Sequence, residues 1–367
     1  MTAVGLRDYY RQFEAETPEE ASRRLREEAE ERRRRALARV EAVDLSSTTW
    51  PHLPPPAVVN AVTFAARRGL HRPPDPQAGE LRAELSHHVG VPPARVVVGS
   101  GASQLLAAAA EALLSPGDEL VTPWPSHPLL PLLARRAGAT AVPAPGFGVQ
   151  TVLDAIGERT RVVALCNPND PTGAWLDEAA LSELLGALPE RVVVLLDEAL
   201  AEYAPRTATH LVERFPRLLA VRTFSKAWGL AGLRVGYAVG GPSSEPLLER
   251  LAPPGGVGEL AQVGALEALR ETRHAIERRV AGVRDERDRL AGELRALGLE
   301  VAPSEANLLW IAAPGLDGAG LADRLARAKV LVASGGTFGD DGHVRAAVHE
   351  RASAERLRDA LAAVAGA

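Results

Sequence analysis

The segment 223–234 brings together several side chains that could do chemistry. It reads Thr-Phe-Ser-Lys-Ala-Trp-Gly-Leu-Ala-Gly-Leu-Arg, with two hydroxyls, Lys226, two glycines and Arg234. Lys226 and Lys329 are the only lysines among the 42 basic residues. A lysine amine can lose its proton and attack a carbonyl carbon, which an arginine cannot, so Lys226 is a candidate imine-forming residue. The hydroxyls and Arg234 suit an anionic phosphate beside that amine; the alternative is a glycine-containing turn with a surface lysine.

Three further loops carry polar residues directly after predicted strands. Asp197 ends the apolar run 192–197, either as a turn residue or as a buried anion that pairs with a ring nitrogen. The loop 166–173 is either a rigid turn or a set of polar groups held by two prolines. The segment 99–104 leads into a predicted helix, whose free N–H groups can hold a phosphate. Loops after strands are where open parallel sheets bind ligands.

The elements that must position these loops form an alternating pattern of strands and helices. Continuous apolar, β-branched runs separated by helical stretches predict a mostly parallel sheet that is buried on both faces. After the Pro-Pro-Gly-Gly segment at 253–256, a long helical stretch over 258–297 precedes further strands and helices. This change predicts a smaller α+β unit joined to the large one by the long helix. The predicted strands of the large unit lie in 94–100, 118–122, 161–166, 191–199, 217–225 and 233–240.

The first part of the chain differs in composition from the rest. Residues 17–42 are densely charged and begin with Thr-Pro-Glu-Glu, which is typical of a helix start. We interpret this segment as a solvated amphipathic arm, with a partner-binding helix as the alternative. The predicted domains are an N-terminal helical arm over 1–48, a large domain over 49–250 that carries these loops, and a small C-terminal domain over 251–367 that includes part of the N-terminal segment.

Composition excludes several classes of protein. The 367 residues are 46% hydrophobic and 24% charged, which is ordinary for a globular protein and excludes a disordered one. The net charge of −5 does not imply a basic nucleic-acid surface. Cys166 is the single cysteine, so an intramolecular disulfide and a cysteine-based metal cage are excluded. No apolar stretch approaches the ~18–20 residues of a membrane span. We therefore expect a cytoplasmic protein with neither nucleic-acid nor membrane partners.

Taken together and in order, the motifs resemble those of the fold-type I pyridoxal-phosphate enzymes. The resemblance is to class I/II aminotransferases and their histidinol-phosphate aminotransferase branch, over roughly residues 45–365. It implies an α/β fold, with a mostly parallel seven-stranded sheet between helices in the large domain and a smaller α+β domain. It also implies pyridoxal 5'-phosphate as cofactor, an amino donor and a 2-oxo acid acceptor as substrates, and a homodimer with both active sites at the interface.

The resemblance implies roles for particular residues. Lys226 forms an imine with the cofactor and later moves the α-proton, while Asp197 pairs with the pyridinium nitrogen. Arg345 pairs with a substrate carboxylate. His127 is expected behind Asp197, and Asn307 in a small-domain strand. The other implied cofactor contacts are Gly101, Ala102, Ser103, Gln104, Thr223, Ser225 and Arg234 at the phosphate, Trp124 stacked on the ring, and the loop residues Asn169 and Asp170.

Four positions depart from the family pattern. Leu200 replaces the tyrosine that donates a hydrogen bond to the cofactor's phenolic oxygen, and Asp170 replaces the asparagine before Pro-Thr-Gly. Pro73 stands where a tyrosine often reaches the partner subunit's cofactor phosphate. Ala333 stands where the histidinol-phosphate branch has a further phosphate-binding arginine, which argues against histidinol phosphate as the substrate.

The leading interpretation is an aminotransferase that acts on an amino acid or a related amine through a Lys226 Schiff base. The missing tyrosine leaves an alternative within the same cofactor chemistry: a decarboxylase, lyase or replacement enzyme. An alternative of another class is a non-catalytic, pyridoxal-phosphate-binding interaction module that docks through residues 17–42.

Overall fold

The computed structural model describes residues 22–28 and 41–366. Within the charged segment 17–42, residues 22–28 form a helix with mostly exposed side chains, and most of the remaining segment lies outside the described residues. None of the helices in the two described ranges is long and apolar enough to cross a bilayer.

A seven-stranded sheet forms the centre of the large unit, in the order β2-β8-β7-β6-β5-β3-β4. Its strands are β2 (Val96–Gly99), β3 (Glu119–Trp124), β4 (Thr140–Pro145), β5 (Thr160–Cys166), β6 (Val193–Asp197), β7 (Leu218–Thr223) and β8 (Gly236–Gly240). β8 runs antiparallel to both of its neighbours, and the other neighbouring pairs are parallel. The predicted mostly parallel sheet is therefore confirmed.

Helices cover both faces of this sheet. They are α1 (Pro56–Gly69), α2 (Gly79–Val89), α3 (Ala102–Leu113), α4 (Leu129–Arg136), α5 (Val149–Asp154), α6 (Glu178–Ala187) and α7 (Glu245–Leu251). Because successive strand residues point to opposite faces, Val163 and Leu165 join one apolar core while Val162 and Ala164 join another. Burial of alternate residues on two faces explains why this strand reads as one continuous apolar run.

The C-terminal part forms a second, smaller sheet. Its antiparallel order is β12-β13-β10-β9, and β1 pairs in parallel with β11 at a separate two-stranded ladder. The elements are β1 (Val43–Asp44), α8 (Glu259–Glu271), α9 (Arg273–Ala296), β9 (Glu300–Val301), β10 (Leu308–Ala312), α10 (Gly318–Arg327), β11 (Val330–Leu331), β12 (Ala333–Ser334), β13 (Val344–Ala347) and α11 (Arg351–Ala365). A third apolar core lies beneath this sheet.

The predicted long helix over 258–297 is two helices, α8 and α9. Thr272 interrupts it with φ −118° and ψ 1°, and its hydroxyl donates to the carbonyl of Ala268 at 2.8 Å. The first half of α9 packs in the core of the large sheet through Val280, and the second half packs in the third core through Leu290 and Leu294. α9 thus joins the two units as predicted, whereas the domain boundary at 250–251 stays a prediction.

Candidate active site

The carboxyl ends of β5, β6 and β7 bring the polar loops together at one edge of the large sheet. In register, Cys166 lies beside Asp197, which lies beside Val221, two residues before the end of β7. A cavity of about 160 Å³ opens at this edge. Many of the sequence-predicted site residues line it: Ala102, Ser103, His127, Asp170, Asp197, Thr223, Ser225, Lys226 and Arg234.

One end of this cavity is a set of hydrogen-bond donors around the start of α3. The Thr223 hydroxyl donates to the Ser225 hydroxyl at 3.0 Å, and Nη1 of Arg234 also donates to the Ser225 oxygen, at 3.3 Å. A Cβ on Gly101 would lie 2.6 Å from Nη2 of Arg234, so only glycine lets the guanidinium come this close to the helix start at Ala102. The first N–H groups of a helix lack intrahelical partners. A phosphate would therefore fit here, held by the two hydroxyls, the guanidinium and the start of the helix.

Lys226 and Asp197 occupy the buried middle of the cavity. Burial lowers the pKa of Lys226, while the nearby Asp170 and Asp197 carboxylates work against that shift. Its Nζ donates to the Thr48 hydroxyl at 2.6 Å. Burial raises the pKa of Asp197, opposed by the His127 imidazole and by a backbone N–H. An amine with a lowered pKa is a better nucleophile at neutral pH, and a buried carboxylate beside it can pair with a ring nitrogen.

Arg345 and Asp170 form an ion pair on the small-sheet side of this cavity. Nη1 of Arg345 donates to Oδ1 and Oδ2 of Asp170 at 2.7 and 2.9 Å, and both side chains are buried. Nη2 donates to the backbone carbonyl of Ser46. The guanidinium carbon lies 4.7 Å from the ring centre of Phe338. The predicted carboxylate-binding arginine therefore already contacts a carboxylate of its own chain.

Trp124 is the last residue of β3, and His127 lies in the loop that follows. His127 lines the cavity, and its Nδ1 accepts the backbone N–H of Leu129 at 3.2 Å, which leaves Nε2 to carry the proton in the neutral ring. The Trp124 indole contacts the turn that follows the short helix Gly335–Phe338. A Cβ on Gly339 would lie 2.0 Å from Nε1 of Trp124, so glycine is required for that contact.

The side-chain amides of Gln104 and Asn169 stabilise loops through hydrogen bonds. Oε1 of Gln104 accepts the Ser100 N–H at 3.0 Å, and its Nε2 donates to the carbonyl of Leu251 at 3.1 Å. Asn169 accepts from the Ser126 hydroxyl at 2.7 Å and donates to the Pro125 carbonyl at 3.0 Å. Contact between these two residues and the cofactor stays a prediction. The hydrogen bonds of both side chains hold the loops around the cavity in place.

The structure adds three site residues that sequence reasoning missed. Thr48 accepts from Lys226, and its own carbonyl accepts from the buried Asn307 amide at 2.9 Å, so it ties the first residues of the fold to the cavity. Gly236 begins β8, where a Cβ would lie 2.8 Å from the backbone N of Ala102. Gly339 supports Trp124. Gly236 directly follows the segment 223–235 that carries Lys226, so the sequence could have predicted it as a site residue. No motif near Thr48 or Gly339 points to the site.

Leu200 lines the cavity with a fully apolar side chain. It lies directly before the short helix Ala201–Tyr203. The hydroxyl of Tyr203 is buried without a hydrogen-bond partner among the described residues and does not line the cavity. Within the described cavity, the wall at position 200 therefore supplies no hydrogen-bond donor, as the sequence predicted.

Comparison with known proteins identifies the family. The family model for aminotransferase class I and II matches residues 40–361 of this chain. The chain belongs to this family. It is 41% identical to the aromatic amino acid aminotransferase of Corynebacterium efficiens, over 80% of this chain and 86% of the relative. It is 37% identical to histidinol-phosphate aminotransferase 1 of Nitrosococcus oceani, over 84% of each chain.

Solved structures agree with this assignment. The fold matches histidinol-phosphate aminotransferase from Sinorhizobium meliloti in complex with pyridoxal-5'-phosphate, with a TM-score of 0.81 and 25% identity over 90% of this chain and 93% of that one. It matches Thermus thermophilus aspartate aminotransferase with maleate at a TM-score of 0.79 and 26% identity, over 100% of both chains.

The family membership confirms the predicted fold type, reaction and cofactor. This aminotransferase uses pyridoxal 5'-phosphate to move an amino group between an amino acid or related amine and a 2-oxo acid. The bound cofactor supplies an aldehyde and an electron-withdrawing ring. The donors at the start of α3, the buried Asp197 and the buried Lys226 fit its phosphate, ring nitrogen and aldehyde respectively.

Proposed function

We propose that this aminotransferase takes aromatic amino acids as donors, and that Lys226, Asp197 and Arg345 are its central site residues. The observation that carries the proposal is the burial of Lys226 in one cavity with Asp197 and with the donors that fit a phosphate. These phosphate-type donors are Thr223, Ser225, Arg234 and the start of α3. In that place Lys226 bonds the cofactor and moves the proton of the substrate's α-carbon. Asp197 keeps a proton on the ring nitrogen, and Thr223, Ser225 and Arg234 hold the phosphate.

The aromatic preference rests on the surroundings of Arg345. The Phe338 ring lies against its guanidinium, and the centre of the Trp310 ring lies 6.1 Å from that of Phe338. Ala333 lies opposite Arg345 in the register of β12 and β13, where it offers no second cation to a phosphate or a second carboxylate. Several relatives at 38–41% identity, including that of Corynebacterium efficiens, carry the name aromatic amino acid aminotransferase. Aromatic rings beside one arginine suit the binding of an aromatic amino acid.

The preference is tested by half-reaction kinetics with the holoenzyme. L-Phenylalanine, L-aspartate and histidinol phosphate are each mixed with it without an acceptor, and the change in cofactor absorbance is followed. We expect kcat/KM for phenylalanine to exceed both others by at least tenfold. A faster reaction with histidinol phosphate or aspartate would reject the aromatic proposal, and Lys226→Ala serves as the inactive control.

We also propose a homodimer. Leu53, Phe64 and Leu70 lie before, within and directly after α1, and are 87%, 61% and 75% exposed. Large apolar side chains exposed along one segment are typical of an interaction surface. Beside Leu70 a cavity of about 540 Å³ extends to Arg234. This cavity connects the exposed residues around α1 with Arg234, where a second copy of this chain would complete the site.

Light scattering tests the dimer. The wild-type holoenzyme should have twice the mass of one chain, and Phe64→Asp combined with Leu70→Asp should reduce that mass to one chain. Leu132→Asp, at another exposed leucine on α4, is the matched control and should stay dimeric. A monomeric wild type at micromolar concentration would refute this proposal.

The domain division over 49–250 and 251–367 is likewise a proposal. Two separate sheets with separate apolar cores support it, and the parallel pairing of β1 with β11 supports assigning part of the N-terminal segment to the small domain. The expected cytoplasmic location stays a prediction.

A further inference from the structure

The amine of Lys226 has a single hydrogen-bond partner among the described residues. Nζ donates to the Thr48 hydroxyl at 2.6 Å, and Thr48 is 1% exposed. Lys226 and Thr49 line the active-site cavity, whereas Thr48 is not among its lining residues. Thr48 therefore contacts the amine without occupying the space that a substrate would fill.

The segment that carries Thr48 is fixed by hydrogen bonds to the C-terminal part of the chain. The Leu45 N–H donates to the Leu331 carbonyl and the Ala347 N–H donates to the Leu45 carbonyl, each at 2.8 Å. Nδ2 of the buried Asn307 donates to the Thr48 carbonyl at 2.9 Å. Because the segment 45–48 is hydrogen-bonded at both ends, the Thr48 hydroxyl has a defined position beside Lys226.

The residues after Thr48 also hold the backbone next to Lys226. The Trp50 ring centre lies 4.3 Å from the guanidinium carbon of Arg279. Nη1 of Arg279 donates to the carbonyl of Ala227 at 2.7 Å. Residues 48–50 are thus connected with Lys226 twice, directly at its amine and through Arg279 at the backbone of the following residue.

A hydroxyl suits a lysine that must both gain and lose a proton. It can accept from the ammonium form and donate to the neutral amine, whereas a carboxylate only accepts. To move the α-proton, Lys226 must be neutral before it takes the proton and charged until it returns it. The other charged or titratable groups around this amine make no hydrogen bond to Nζ among the described residues; they are Asp170, Asp197, Cys166 and Arg345.

We propose that Thr48 is a positioning residue of this aminotransferase, whose hydroxyl holds the Lys226 amine at the cavity whenever that amine is not bonded to the cofactor. The amine then keeps its place when it moves the α-proton, instead of occupying other rotamers. The inference rests on the proposed role of Lys226. The replacement Thr48→Val keeps the size of the side chain and leaves the buried amine without this partner.

Cyanate labelling of the cofactor-free protein measures the contact directly. Cyanate reacts with neutral amines, so the pH dependence of the labelling rate gives the pKa of an amine, and the plateau rate gives the access of the reagent. Lys226 and Lys329 are the only lysines of the chain, and peptide mass spectrometry resolves them. Lys329 is therefore an internal control in every sample.

Thr48→Val should lower the pKa of Lys226 by about one unit, because hydrogen bonds to a charged group are stronger than those to a neutral one. At equal access, labelling below both pKa values should be about tenfold faster, with the Lys329 rate unchanged. Loosening of the fold alone would act in the opposite direction, because burial lowers the pKa of Lys226. Thr48→Ser keeps the hydroxyl and should match wild type.

Half-reaction kinetics of the holoenzyme separate positioning from binding. With the fastest of the three donors named above, Thr48→Val should lower the limiting rate about tenfold, and Thr48→Ser should restore it. The donor concentration at half-saturation should change less than about twofold, because Thr48 does not line the cavity.

Thr272→Val is the matched control. Thr272 is also buried, and its hydroxyl donates to the Ala268 carbonyl at 2.8 Å in the break between α8 and α9, outside the cavity. This variant loses a buried hydroxyl hydrogen bond as well, but it should behave like wild type in both assays.

Several outcomes would overturn the positioning role of Thr48. They are an unchanged or raised pKa of Lys226 in Thr48→Val, an unchanged limiting rate in that variant, and an equal loss of rate in Thr48→Ser. If Thr48→Val does not fold, the same criteria apply to the pair Thr48→Ser and Thr48→Ala, which differ by one oxygen atom.

Borohydride reduction of the wild-type holoenzyme tests the proposed role of Lys226 separately. Peptide mass spectrometry should find the cofactor attached to Lys226. Attachment to Lys329 would overturn the role of Lys226 in the reaction, and would leave the labelling result for the contact between Lys226 and Thr48 in place.

Discussion

Replacement of Gly101 by alanine should weaken cofactor binding by displacing Arg234. Gly101 has φ +86° and ψ 161°, a conformation that is essentially restricted to glycine. Its added Cβ would lie 2.6 Å from Nη2 of Arg234. Since relaxed carbon contacts lie at about 3.5–4.0 Å, the guanidinium must move by roughly 1 Å. That shift takes it away from the Ser225 hydroxyl and from the phosphate position.

The magnitude follows from the contact that is lost. A hydrogen bond to a charged group contributes about 1.5–3 kcal/mol, which corresponds to a rise in the cofactor's Kd of about 10- to 100-fold. The assay is titration of the cofactor-free protein with pyridoxal 5'-phosphate, followed by visible absorbance. Unfolding is measured in parallel, because the strained backbone should also destabilise the fold by about 1–3 kcal/mol.

Gly117 provides the matched control. It too has a positive φ, of 93°, but an added Cβ there would meet no atom within 4 Å. Gly117→Ala should therefore destabilise the fold through backbone strain and leave cofactor affinity unchanged. Wild-type cofactor affinity in Gly101→Ala, or an equal loss in Gly117→Ala, would refute the reasoning about Arg234.

Three further predictions follow from other parts of the structure. Arg345→Ala should weaken aromatic amino acid binding by about 2–5 kcal/mol in half-reaction titrations, with cofactor affinity nearly intact. Leu200→Tyr should add the missing donor and lower the pH at which the imine absorbance titrates by about a unit, and no downward shift would show that another group already serves that oxygen. Burial lowers the pKa of His349 to about 4, so stability should fall by up to about 3 kcal/mol as pH drops from 6.5 to 4; urea unfolding of His349→Asn should show a shallower fall.

Local motifs carried most of what the sequence predicted about this site. Lys226, Ser225 and Arg234 lie within one short segment, so their types and spacing indicated the chemistry directly. Continuous apolar runs predicted the sheet because burial on both faces leaves that pattern in the sequence. The strand ends then placed Asp197 beside this segment, as open parallel sheets require.

Contacts between distant parts of the chain were beyond sequence reasoning. Thr48 lies 178 residues from Lys226, and Arg345 lies 175 residues from Asp170. Contacts over such separations leave no periodic or compositional pattern in the sequence. Asp170 was recognised as unusual, but its pairing with Arg345 depends on how the small sheet packs against the large one. The helix break at Thr272 was missed because threonine is tolerated within helices and no glycine or proline marks the position.

Single-turnover analysis with L-phenylalanine tests the central claim most directly. Holoenzyme is mixed with excess phenylalanine and no 2-oxo acid, and the keto acid and aminated cofactor are quantified. We expect one phenylpyruvate and one aminated cofactor per site, with the starting absorbance restored when a 2-oxo acid is added, and neither product from Lys226→Ala. Release of carbon dioxide without phenylpyruvate, or full amino transfer by Lys226→Ala, would contradict the account of this chain as a Lys226-dependent aminotransferase.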